Sequence, residues 1–183
     1  MSFFPSLPAD AGVRHILGFN PEAGRALIAL HTAVLRQDTA LTAAHKELIA
    51  AYVSGLNACQ YCHGVHRETA LAFGIEEGLI ESLLTDLEAA PVDPRLRPML
   101  AYVRKLTLEP SRMVGTDAQA VLDAGWGERD LHDAVLTACL FNFMNRLLEG
   151  HGVKGGTALY AERGQALARD GYEPLLAWLT PKD

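Results

Sequence analysis

Two cysteines and a histidine at short spacing are the residues of this sequence best placed to do chemistry. They are Cys59, Cys62 and His66, within the stretch Cys59-Gln60-Tyr61-Cys62-His63-Gly64-Val65-His66. On a helix, Cys59 and Cys62 stand at i and i+3, and Cys62 and His66 at i and i+4, so all three project from one face. A dithiol redox centre needs that proximity: one thiolate attacks an oxidant, and its neighbour must reach the resulting sulfenic acid before it oxidises further. Gly55 and Asn57 weaken the preceding helix, which predicts that the cysteine pair opens a new one. There the uncompensated N–H groups and the positive dipole end favour thiolate over thiol. Thiols in such settings titrate at roughly 3.5–7.5 instead of ~8.5. By the dipole alone, Cys59 is the more acidic of the two.

His66 is placed to take or relay a proton, and a carboxylate bonded to it would fix its tautomer and raise its basicity. Glu47 is the candidate: it shares a helical stripe with Ala51 and Ser54, which leads round the Gly55-Leu56-Asn57 bend towards Cys59. Spacing alone favours the plainer alternative of a solvated helix acid.

The same residues admit rival chemistries. Cys59, Cys62 and His63 form C-x-x-C-H, the attachment pattern of c-type haem, but the sequence shows no export signal of the kind that route needs. A structural zinc site wants four ligands, and no second C-x-x-C or H-x-x-x-H follows. A thioredoxin-like fold would need a βαβ pattern around the motif. No metal or cofactor is therefore expected. His63 is expected on an exposed helix face and Tyr61 in packing, with its hydroxyl within possible reach of the thiols. Cys139, inside an apolar segment, should be a small buried hydrophobe. Asn142, Asn145 and Arg146 share a stripe and suggest interface or structural roles, with lining of the pocket as the alternative. His31, His45, His132 and His151 follow no spacing rule and read as surface or satisfied core histidines.

The elements that must position this chemistry are helical. Start and stop signals recur, and alternating strand patterns are almost absent. Asn20-Pro21-Glu22 opens a helix running to about Gln37, where Asp38 and Thr39 break it. Further helices are predicted over about 42–56, 59–73 with Gly74 as the C′ residue, 76–87, 93–108 with Asp93 and Pro94 as cap and N1, and 116–125 from a capping box at Thr116–Gln119. The segment from about Glu128 to Glu149 is apolar almost all round, which predicts a position central to the fold or to a subunit interface. The last thirty residues suggest a helix and an irregular tail with no assigned role. Glu47 aligned with Asp133 sets two apolar segments in register, a possible degenerate internal repeat. The fold class is all-α, a single domain over 1–183 with its motif core at about 40–75.

Composition bounds the partners. With 49% hydrophobic and 21% charged residues, the chain has the make-up of an ordinary globular protein. A net charge of −6 argues against nucleic acid and anionic membrane surfaces. Three cysteines with one C-x-x-C do not make a secreted disulfide framework. No stretch offers 18 apolar residues free of charge. A cytoplasmic protein without a membrane span is expected, and the long apolar segment suggests a homo-oligomer.

A Glu, eleven intervening residues, C-x-x-C and a His four residues on, present as Glu47, Cys59, Cys62 and His66, resembles the signature of the alkylhydroperoxidase D and carboxymuconolactone decarboxylase superfamily. Length and the FNFMNR segment are similar to its peroxidase-related subgroup. The resemblance implies an AhpD-like helical bundle, assembly as a trimer or hexamer, and a thiol-dependent peroxidase acting on hydrogen peroxide or an alkyl hydroperoxide. It implies that Cys62 attacks, Cys59 resolves, Glu47 and His66 relay the proton, and an external dithiol of lipoyl or thioredoxin type restores the pair. Where the family's best-known members carry a second histidine, this chain has Tyr61. The alternatives are a redox-sensing or zinc-binding module without turnover, and a carboxymuconolactone-type decarboxylase, a branch that typically lacks the cysteine pair.

Overall fold

A computed structural model describes residues 2–8, 10–37 and 39–179. The helices are α1 (Val13–Phe19), α2 (Pro21–Leu35), α3 (Ala43–Leu56), α4 (Gln60–Ala72), α5 (Leu79–Thr85), α6 (Arg97–Leu108), α7 (Gly115–Asp123), α8 (Glu128–Gly150) and α9 (Thr157–Asp170). Short 3-10 turns cover Pro110–Arg112 and Glu173–Leu179. Among the described residues there is no strand, and no helix is long and apolar enough to cross a membrane.

The all-α expectation holds, with corrections at the boundaries. The Asn20 side chain caps α2 by accepting from the Ala23 N–H, and Thr42 caps α3 in the same way through the His45 N–H. The break assigned to Asp38 lies outside the described residues. Asp93 and Pro94 do not start a helix: Asp93 holds a turn through the N–H groups of Arg95 and Leu96, and α6 begins only at Arg97. The capping box at Thr116 is likewise displaced. Asp117 reaches back to the Val114 N–H, so α7 starts at Gly115. Helix α1 has no counterpart in the sequence reading.

The centre of the protein is α3, not α8. Every residue from Lys46 to Ser54 is buried, because α4, α5, α6 and α8 pack around it. Burial of Leu48, Ile49 and Tyr52 contributes roughly 1.5–3 kcal/mol per large side chain. Helix α8 buries one face and leaves Leu136, Cys139, Phe143 and Arg146 outward, at three- and four-residue intervals. Phe143 is 50% exposed and Cys139 is exposed, against its expected burial. Apolar content around a helix does not say which stripe its neighbours reach.

Helix α4, which carries the motif, is clamped against α9 by two glycines. A Cβ on Gly64 would strike the ring of Tyr160, and one on Gly164 would lie 2.9 Å from the carbonyl carbon of Glu68 and from the Thr69 nitrogen. Close approach of the two backbones brings the C-terminal residues over the motif. The described part of the C-terminal region, α9 and the turn at Glu173–Leu179, therefore has the role that the sequence did not assign.

Candidate active site

The loop between α3 and α4 delivers the cysteines. Cys59 N–H donates to the Ser54 carbonyl and Ala58 N–H to that of Gly55, the paired bonds of a Schellman cap. The motif needs a left-handed residue at its C′ position, and Ala58 fills it with φ of +54°. Glycine is usual there, and alanine costs about 1–2 kcal/mol. Gly55 and Asn57 signal the bend in the sequence, but nothing there marks Ala58 as its left-handed residue. Cys59 then sits at the N-cap of α4 and Cys62 in its first turn. Both thiols are free and buried.

The thiols differ in environment. Cys62 donates its S–H to the Cys59 sulfur, which holds Cys59 below the ordinary thiol range although burial opposes this. The same bond, together with burial, pushes Cys62 well above it. The acidity order is that expected from the helix dipole, yet access is reversed. Cys62, together with Val65, His66 and Tyr61, lines an apolar cavity of about 70 Å³, and Cys59 does not. That volume is about half of the ~150 Å³ that accepts a benzene ring. Cys59 instead faces Glu149, whose carboxylate opposes a charge on the Cys59 sulfur and whose Oε2 pairs with Lys154 at 2.6 Å.

Glu47 is fully buried, which overturns the solvated-acid alternative. Its Oε2 accepts from His66 Nδ1 at 2.6 Å, and its Oε1 accepts from Arg36 at 2.7 Å and from the Tyr172 hydroxyl at 3.0 Å. Burial raises the cost of its charge, but His66 and Arg36 outweigh that and hold the carboxyl below its ordinary value. A carboxylate only accepts, so Nδ1 of His66 carries the hydrogen and Nε2 keeps the lone pair. Burial and the charge of Glu47 raise the Tyr172 phenol well above its usual range, so the hydroxyl stays a donor.

Asn145 completes the surroundings of Cys62. It hydrogen-bonds the Cys62 thiol and stabilises its charged form. Its Nδ2 donates to Ser54 Oγ at 2.9 Å, and its Oδ1 accepts from Asn57 at 2.9 Å. Asn57 also donates to Asn142 Oδ1 at 3.1 Å. The polar stripe of α8 thus turns inward at Asn145, while Arg146 stays exposed and returns to Asn142. Tyr61 packs at 5.9 Å from Tyr160, and His63 Nδ1 bonds the Ala51 carbonyl, away from the cavity.

All four sequence candidates therefore meet in one place. Arg36, Tyr172, His31 and Asn145 join them; of these, only Asn145 had a signal, its stripe with Asn142 and Arg146. Among the described residues, no group of three or more His, Cys, Asp or Glu side chains is arranged to hold a metal ion.

The sequence matches the carboxymuconolactone decarboxylase family over residues 21–105, which includes Glu47, Cys59, Cys62 and His66 but neither Asn145 nor Tyr172. No curated protein matches it. An uncharacterised peroxidase-related protein from a Silicibacter species shares 26% identity, covering 83% of this chain and 79% of its own, with a TM-score of 0.75. A peroxidase-related protein from Ralstonia eutropha, with an alkylhydroperoxidase AhpD core, shares 23% identity over 81% of this chain and 78% of its own, with a TM-score of 0.74. An AhpD-like protein of unknown function from Agrobacterium tumefaciens shares 19% over 76% and 94%, with a TM-score of 0.64.

Proposed function

From the premise that this chain belongs to the superfamily of AhpD-like and carboxymuconolactone decarboxylase proteins, we propose that it is a thiol-dependent peroxidase. The reading rests on one observation above the others: Cys62 and His66 line the same apolar cavity, and Glu47 holds the His66 ring from behind. The polar backing sets the proton path, and the apolar wall receives the organic part of a hydroperoxide.

His66 Nε2 takes the Cys62 proton, and the thiolate attacks the outer oxygen of the hydroperoxide. A sulfur–oxygen bond forms, the oxygen–oxygen bond breaks, and the leaving alkoxide takes the proton back from His66 to depart as an alcohol. Cys62 is now a sulfenic acid. Cys59 then attacks the Cys62 sulfur, closing the disulfide and releasing hydroxide, which leaves as water with the proton of the Cys59 thiol. The two electrons taken up by the peroxide come from the dithiol. An external dithiol of lipoyl or thioredoxin type restores both thiols. Cys62 is the attacking residue because it faces the cavity; Cys59, although more acidic, does not.

The outward stripe of Leu136, Cys139 and Phe143 on α8 supports assembly with further copies, which the family resemblance puts at a trimer or hexamer.

The test is a disulfide map by mass spectrometry before and after one equivalent of tert-butyl hydroperoxide, followed by turnover with dihydrolipoamide. A Cys59–Cys62 disulfide and repeated cycles are expected. Two free thiols after the peroxide would remove the reading, and oxidation without turnover would make the chain a redox sensor.

A further inference from the structure

His31 is a buried, titratable side chain on the wall of the cavity that receives Cys62 and His66, and the steps above do not use it. It projects from α2, and its Nδ1 lies 2.7 Å from the Leu27 carbonyl oxygen. A carbonyl only accepts, so Nδ1 carries the hydrogen and Nε2 holds a lone pair. Nε2 makes no hydrogen bond among the described residues. The ring centroid lies 5.2 Å from that of Tyr172 and 6.1 Å, edge-on, from that of Phe141, whose ring also lies 4.4 Å from that of His66. A lone pair on the wall of a largely apolar cavity is available to a donor that enters it.

We propose that His31 is a catalytic residue of this site: its Nε2 accepts the O–H of the incoming hydroperoxide and presents the outer oxygen to the Cys62 sulfur. The inference rests on the peroxidase reading given above and adds a substrate contact to it. The hydrogen stays on the outer oxygen throughout and ends as the hydrogen of the Cys62 sulfenic acid, so His31 gives and takes no net proton. The bond changes are those already described: sulfur–oxygen forms, oxygen–oxygen breaks, and the alkoxide collects the proton held by His66.

The ring stays an acceptor across the working range. Burial pushes His31 down to about 4, beyond what its bond to Leu27 restores, and the neighbouring His66 and Arg36 act in the same direction as burial while Glu47 opposes it. The other titratable groups on the cavity wall are Cys62, Tyr61, Tyr172 and Arg163. A neutral imidazole can accept the peroxide hydrogen at neutral pH, where an imidazolium could not.

Two reagents with different hydrogen-bonding needs provide the test. tert-Butyl hydroperoxide has an O–H to be accepted, and methyl methanethiosulfonate has neither O–H nor N–H. In His31→Leu, the rate of Cys59–Cys62 disulfide formation by the hydroperoxide should fall by about 100- to 1000-fold, the scale of losing one positioned hydrogen bond to the reacting group. The rate at which methyl methanethiosulfonate modifies Cys62 should stay within about a factor of two, since it probes thiolate and access only. His31→Gln, which keeps an accepting oxygen, should recover part of the hydroperoxide rate. Equal slowing with both reagents, or an unchanged hydroperoxide rate in His31→Leu, overturns the proposal while leaving a reactive wild-type protein as a peroxidase. A wild-type protein inert to hydroperoxide removes the peroxidase reading and this inference with it.

Discussion

Replacement of Glu47 by glutamine isolates the charge of the buried carboxylate while keeping its shape. Glutamine can still accept from His66 Nδ1 or from Arg36, but it cannot balance the Arg36 guanidinium, whose side chain is only 17% exposed. Breaking a buried pair by removing one partner costs about 3–5 kcal/mol. Retained neutral hydrogen bonds return about 1 kcal/mol each, so Glu47→Gln should destabilise the fold by about 2–4 kcal/mol at pH 7, about 4–16 °C in Tm for a chain of this size. The loss should depend on pH in a defined direction. The folded-state value of Glu47 lies below its ordinary 4.5. Its contribution is therefore fully present above 4.5 and disappears as pH falls through the folded value. Urea unfolding of both proteins from pH 7 downwards should show the gap closing in acid, because a protonated Glu47 resembles glutamine. The hydroperoxide rate should fall as well, by about 10²–10⁴, since His66 loses the carboxylate that fixes its tautomer and orientation. A gap that stays constant from pH 7 to the acid limit would refute the assignment of Glu47 as a buried carboxylate anchoring His66 and Arg36.

Other perturbations test other parts of the account. In Cys59→Ala, Cys62 loses the acceptor that raises it, so the midpoint for its alkylation should move to lower pH than in the wild type. The same variant treated with excess hydroperoxide should carry Cys62 to sulfinic acid, visible as a gain of two oxygens by mass. Gly164→Ala would place a methyl group against the α4 backbone at Glu68 and Thr69 and should cost about 1–3 kcal/mol by overpacking, read from urea unfolding. Phe143→Glu puts a charge in the outward apolar stripe of α8; light scattering should show a smaller particle than the wild type, and an unchanged mass would exclude that stripe as the interface.

How much of this was legible beforehand differs between the site and its supports. The four residues Glu47, Cys59, Cys62 and His66 were readable because they lie within twenty positions, and helical periodicity alone sets three of them on one face. The capping residue Asn20 and the C′ glycine, Gly74, were readable for the same reason: their effect is exerted on the adjacent backbone. Arg36, Tyr172, His31 and Asn145 reach the site from α2, the C-terminal segment and α8, so no local rule connects them to Cys62.

Interactions within a few residues were enough to specify the helical class, the dithiol at the opening of α4 and the proton acceptor one turn along. Tertiary structure alone decided which sulfur meets the cavity, which helix lies at the centre and whether Glu47 is solvated. Those outcomes depend on burial, and burial is a property of the neighbours that cover a residue. The same carboxylate that would be an ordinary surface acid on a free helix becomes an anchor once Arg36, His66 and Tyr172 close around it.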